Sequence, residues 1–73
     1  PIKMVIVADP MFQATLQPFI HWKQRQGFTI VAGYLGTGDL GTSHTAIETW
    51  LQDLYTSGTV EDPAPSYVLL VGD

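Results

Sequence analysis

The chain of 73 residues contains no cysteine. Disulfides are therefore excluded within it, and so are thiolate metal sites and a thiol nucleophile drawn from these residues. Basic residues are scarce as well: Lys3, Lys23 and Arg25 stand against seven acidic residues, for a formal net charge of −4. Nucleic-acid binding needs a cationic face that displaces counterions, and three scattered positive charges do not make one. No apolar run approaches the ~18 residues that would span a bilayer, and no signal-peptide pattern is present. Charged residues total 14% against 45% hydrophobic, well under the ~25% charged of typical soluble domains. So little charge on so apolar a chain implies that another segment covers part of its surface. A chain of this length hides only about 60% of the surface its unfolded form exposes, so the isolated segment is expected to be marginally stable.

What is present reads as alternating strands and helices. Met4 to Ala8, MVIVA, is an unbroken apolar run bounded by Lys3 and Asp9, which suits a strand covered on both faces, as in a parallel sheet. Asp9-Pro10 reads as a helix cap followed by proline in the first turn. Phe12, Leu16, Phe19, Ile20 and Lys23 fall at helical spacing. Pro18 predicts a break, with a main helix from Pro18 to Gln26 and Gly27 as its left-handed terminator. Phe28 to Leu35 is a second strand, in which Gly33 marks a bulge or a close backbone approach. Thr42 or Ser43 caps a second helix with a stripe of Ala46, Ile47, Trp50, Leu51, Leu54 and Tyr55, closed by Gly58. Residues 59–66 form a proline-containing connection, and Tyr67 to Val71 is a third strand.

The order β-α-β-α-β has crossovers long enough to require parallel strands. Right-handed crossovers with one helix on each face give an α/β fold, a three-stranded parallel sheet in spatial order 2-1-3. This is half of a doubly wound, Rossmann-like sheet. The third strand is left with an open apolar edge unless more chain covers it.

Several residue groups invite a chemical reading. Gly36 to Gly41, GTGDLG, matches G-x-G-x-x-G between a strand and a helix, the context of a dinucleotide fingerprint. Its third glycine precedes the helix cap instead of lying within the helix, and no acidic residue ends a second strand about twenty residues onward, where a ribose partner belongs. A glycine-rich turn is the simpler account. His21 and His44 lie on different helices without a third metal ligand or an adjacent nucleophile. Thr42 and Ser43 read as caps, Trp50 as core, and Trp22 as a side chain set against a neighbouring segment or domain. Asp73 follows Gly72 at the carboxyl end of the third strand, where α/β proteins gather their ligands. A carboxylate there can bind a hard cation, cap a following helix or enter catalysis.

Three segments, MVIVADPMF, LQPFIHWKQRQGF and YVLLVGD, with GTSHTAIETWLQDLY between them, resemble the gingipain-like cysteine peptidases of the caspase-like clan. The likeness covers nearly the whole chain and implies that residues 1–73 are the amino-terminal subdomain of the catalytic domain. In that family a histidine in a Gly-His-Gly-like turn and a cysteine nucleophile lie well downstream. The resemblance therefore implies that neither His21 nor His44 is catalytic and that this segment alone has no peptidase activity. It places Asp73 where the family has a calcium ligand, so calcium is the implied cofactor, its site completed by residues outside this chain. It further implies a secreted or cell-surface bacterial protein processed from a longer precursor. Its partners would be the remainder of the catalytic domain and, through it, protein substrates. Alternative readings are a sortase-like processing peptidase of a secretion system on the same fold, a pseudo-peptidase serving as an interaction domain, and a non-enzymatic nucleotide- or phosphate-binding module using Gly36 to Gly41.

Overall fold

The computed structural model describes residues 2–37 and 40–71. Strand β1 (Ile2–Ala8) lies between β2 (Phe28–Tyr34) and β3 (Tyr67–Val71), giving the order β2-β1-β3, with both pairings parallel. The register runs without interruption from Ile2 opposite Phe28 to Ala8 opposite Tyr34, and from Met4 opposite Tyr67 to Ala8 opposite Val71. The MVIVA run is central because nothing in it needs water: Val5, Ile6 and Ala8 are fully buried and Val7 nearly so.

Side chains alternate along a strand, so the sheet has two apolar faces and one helix covers each. Ile6 and Ala8 pack with Ile20, Leu16 and Phe19 of α1 (Gln13–Arg25), and with Ile30, Ala32 and Tyr34 of β2. Val5 and Val7 pack with Leu40 and with Ile47, Trp50, Leu51 and Leu54 of α2 (His44–Thr56).

Helix α1 departs from the sequence expectation at Pro18. The chain makes a 3-10 turn over Pro10–Phe12, capped by the Asp9 carboxylate accepting from the Met11 N–H at 3.0 Å, and then one continuous helix that contains Pro18. Proline deprives the Ala14 carbonyl of its donor, a penalty of about 3 kcal/mol in a helix interior. Ala14 and Pro18 are both exposed, so the freed carbonyl is on the solvent side. Burial of Leu16, Phe19 and Ile20 on the sheet holds the turns on either side of the proline in line. Gly27 ends the helix as expected, at φ +98°.

Ser43 is the cap of α2, its hydroxyl accepting from the Ala46 N–H at 3.1 Å. Trp50, expected in the core, is only partly buried, and Tyr55 at the end of the stripe is 48% exposed. The apolar stripe is wider than the strip of sheet beneath it. Gly33 forms no bulge; it is the place of close approach, where an added Cβ would lie 2.7 Å from the Trp50 ring. Gly58 is needed for space as well, because a Cβ there would fall 2.6 Å from the Ala64 backbone nitrogen.

Residues 59–66 are clipped to the amino end of β1. Lys3 is 5% exposed, and its Nζ donates to Asp62 Oδ1 at 2.6 Å. The Ser66 N–H donates to the Lys3 carbonyl at 2.9 Å, and the Asp62 N–H to Thr59 Oγ1 at 2.9 Å. An ammonium taken out of water requires such a partner. Strand β3 is the least covered element: Tyr67, Val68, Leu69 and Leu70 are all exposed, on both faces of the sheet.

Gly33→Ala is expected to lower stability by about 1–3 kcal/mol through overpacking against Trp50, read as a lower urea midpoint at unchanged slope. Asp62→Ala is expected to cost about 1–3 kcal/mol by orphaning a buried ammonium. Lys3→Met, which removes that charge and keeps an apolar stem, should cost less and should partly rescue Asp62→Ala in the double mutant, as equilibrium unfolding will show.

Candidate functional site

All three strands end level, with Ala8 paired to both Tyr34 and Val71, so the carboxyl end of the sheet is one rim built from three segments. Groups beyond such a rim are held by rigid strands, which is why α/β proteins place chemistry there. On the β1 side the rim carries Asp9, one of whose oxygens is engaged as the cap of the 3-10 turn. The Leu35 N–H donates to the Ala8 carbonyl at 2.9 Å, extending the ladder one residue past β2. The Tyr34 hydroxyl is buried on the α1 face and has no hydrogen-bond partner among the described residues. Sequence reading did not single out Tyr34 or Asp9 as rim residues; only the register shows that Ala8, Tyr34 and Val71 are level.

The glycine-rich segment folds on itself. The Gly36 N–H donates to the Leu40 carbonyl at 2.9 Å, the Leu40 N–H to the Thr37 carbonyl at 3.0 Å, and the Thr37 N–H to the Tyr34 carbonyl at 3.1 Å. Gly36 sits at φ +77°, a left-handed conformation that closes the turn, and Leu40 is driven into the α2-side core at 3% exposure. A phosphate cradle presents unpaired N–H groups to its ligand; among the described residues the N–H groups of Gly36, Thr37 and Leu40 are instead spent on the Leu40, Tyr34 and Thr37 carbonyls. Gly38 and Asp39 lie outside the described residues.

The two histidines are not brought together. His21 is exposed on α1 and His44 is exposed in the first turn of α2, on the other face of the sheet. His44 Nε2 instead lies 2.5 Å from Glu48 Oε1, a local i to i+4 pair at the surface. Among the described residues no three of His, Asp and Glu gather as a metal site. Asp73, singled out from the sequence as a metal ligand, lies outside the described residues. The described part of the rim offers one carboxylate, Asp9, whereas calcium takes six to eight oxygens; these residues do not by themselves fit a calcium site. No helix among the described residues is long and apolar enough to cross a membrane.

The whole of residues 1–73 matches the profile of peptidase family C25. Lys-gingipain and Lys-gingipain W83 of Porphyromonas gingivalis are each 32% identical over 73 residues, a match that takes in 100% of this chain and 4% of each relative. A solved structure described as "Structure of Protease" superposes at a TM-score of 0.90 with 32% identity, covering 100% of this chain and 16% of that one. The expected α/β fold, with strand order 2-1-3 and a gingipain-like pattern, is thus met in full.

Because the Gly36, Thr37 and Leu40 N–H groups are already paired, titration with ATP, NAD or inorganic phosphate should leave the tryptophan fluorescence unchanged. A saturable change that Gly36→Val abolishes would restore the nucleotide-binding reading.

Proposed function

Since the chain belongs to peptidase family C25 along its whole length, we propose that it is the amino-terminal structural subdomain of the catalytic domain of a secreted bacterial cysteine endopeptidase. The observation that carries this reading is the superposition of the entire chain on a protease at a TM-score of 0.90, with 32% identity to Lys-gingipain. The chain spans 4% of the length of those relatives, so the residues that break the peptide bond are sought outside it. With no cysteine in the sequence, the attacking thiolate comes from the remainder of the domain, and we assign the base that generates it there as well, since His21 and His44 are exposed on opposite faces of the sheet.

The role left to residues 1–73 is mechanical and electrostatic. A sheet clamped between two helices gives the catalytic half a rigid flank, and rigid flanks hold reacting groups within the fraction of an ångström that chemistry demands. In this proposal Asp73 contributes one carboxylate to a calcium site whose other oxygens come from beyond this chain. Bound calcium would supply charge neutralisation and a cross-tie between the segments that share it. Asp73 is then a ligand that fixes structure, and takes no proton in the reaction.

Two measurements on the full-length protein test this. It should hydrolyse peptide substrates, lose that activity on thiol alkylation, and release carboxylate products even with an added amine, where a sortase-like enzyme would form the amide. Absence of thiol-dependent cleavage would overturn the reading. Separately, calcium should raise the melting temperature of the wild type and of Asp9→Asn, with most of the rise lost in Asp73→Asn, as expected when a ligand binds only the native state. Equal calcium stabilisation in all three would remove Asp73 from the site.

A further inference from the structure

The amino end of the sheet, opposite the carboxyl rim, carries a feature that the subdomain role does not explain. Phe28 opens β2 and Tyr67 opens β3, and their rings meet edge to face across β1 at 5.9 Å between centroids. Lys23 Nζ lies 5.1 Å from the centre of the Phe28 ring, 4.7 Å from that of Trp22 and 5.8 Å from that of Phe19. Phe19 and Trp22 are themselves edge to face at 6.2 Å. The outcome is a continuous row, Trp22–Lys23–Phe28–Tyr67, joining the end of α1 to the start of β3. Its two ends stand in water: Trp22 is 52% and Tyr67 54% exposed, and Ile2, paired with Phe28, is 50% exposed.

Charge distinguishes this row from an ordinary bare edge. The chain has three basic residues against seven acidic ones, and Lys3 is taken by Asp62. The other two, Lys23 and Arg25, fall in the last turn of α1, and neither is paired with a carboxylate among the described residues. Glu48 and Asp53 are on α2, across the sheet, and Glu61 and Asp62 are in the connection clipped beside Lys3. Cations suit a helix carboxyl end, but the dipole gives no reason to surround the ammonium with three aromatic rings. The ring faces attract the ammonium and replace part of its water shell, but they carry no net negative charge to neutralise it. A carboxylate brought to such a cation gains more than it would in open solvent.

We infer that this row is a docking site for an acidic–apolar segment, in which an Asp or Glu pairs with Lys23 and adjoining apolar side chains cover Trp22 and Tyr67. Half-exposed Trp and Tyr beside a cation are the residue types that anchor interfaces. The occupant belongs to the parent polypeptide outside residues 1–73, because this chain is 16% of the protease chain on which it superposes. To that extent the inference rests on the peptidase reading.

Hydroxyl-radical footprinting of the full-length protein, resolved by residue and normalised to the unfolded protein, tests it. Trp22 and Tyr67 should be strongly protected in the wild type, well beyond what half exposure gives. Lys23→Glu should raise labelling of both by roughly fivefold, the upper end for loss of a partly exposed ion pair. Lys23→Gln should raise it less, and Met11 and Tyr55, elsewhere on the surface, should be unaffected in either variant. Labelling of Trp22 and Tyr67 in the wild type at the level of half-exposed side chains would overturn the inference, and so would protection indifferent to Lys23→Glu. Thiol-dependent cleavage by the same preparation reports on the peptidase reading independently.

Discussion

Burial of β1 on both faces is the constraint on which the structure depends. Five successive apolar residues, Met4 to Ala8, leave no side of this strand that can face water, so it must have a strand on each edge and a helix on each face. Parallel pairing follows, because antiparallel neighbours joined by tight turns would leave no crossover helices to cover the faces. Most other features serve that arrangement. Gly33 lets Trp50 approach the sheet, Gly58 lets the connection return closely, and the Lys3–Asp62 pair fastens that connection where β1 begins.

The same constraint separates the two ends of the sheet. At the carboxyl rim, level strand ends present Asp9 and Tyr34, the end on which the proposed catalytic half would be built. At the amino end, aromatic rings and the Lys23 ammonium, which has no carboxylate partner among the described residues, collect on one face. The proposed role of the first end rests on rigidity, and the docking row inferred at the second would let a larger body grip this segment. Strand β3 belongs to neither arrangement fully: it is paired on one side only, and its apolar side chains face water both above and below the sheet.

Much of this was legible in the chain itself. The MVIVA run predicts a central strand, the spacing of Ile47, Trp50, Leu51 and Leu54 predicts the helix face, and Gly27 predicts the end of α1, because each is a local pattern with one low-energy outcome. Pro18 misled, because a local penalty at an exposed position was outweighed by packing of side chains on the opposite side of the helix. The Lys3–Asp62 pair spans 59 positions and the Trp22–Tyr67 row 45 by their numbers; no periodicity announces contacts made by crossover geometry. The pairing of the Gly36, Thr37 and Leu40 N–H groups was equally hidden, since it depends on Leu40 being buried in the core. At the rim, the sequence marked Asp73 by its place after a strand, while the buried Tyr34 hydroxyl is visible only through the register.

As the proposed flank of a larger sheet-based domain, this chain would meet the rest of that domain at β3. Amide hydrogen exchange of residues 67–71 in the full-length protein addresses that most directly. Protection of every amide along β3, including those that point away from β1, is the predicted result. Free exchange at the outward-pointing amides, with the rest of the strand protected, would mean that the edge stays open and would contradict the account.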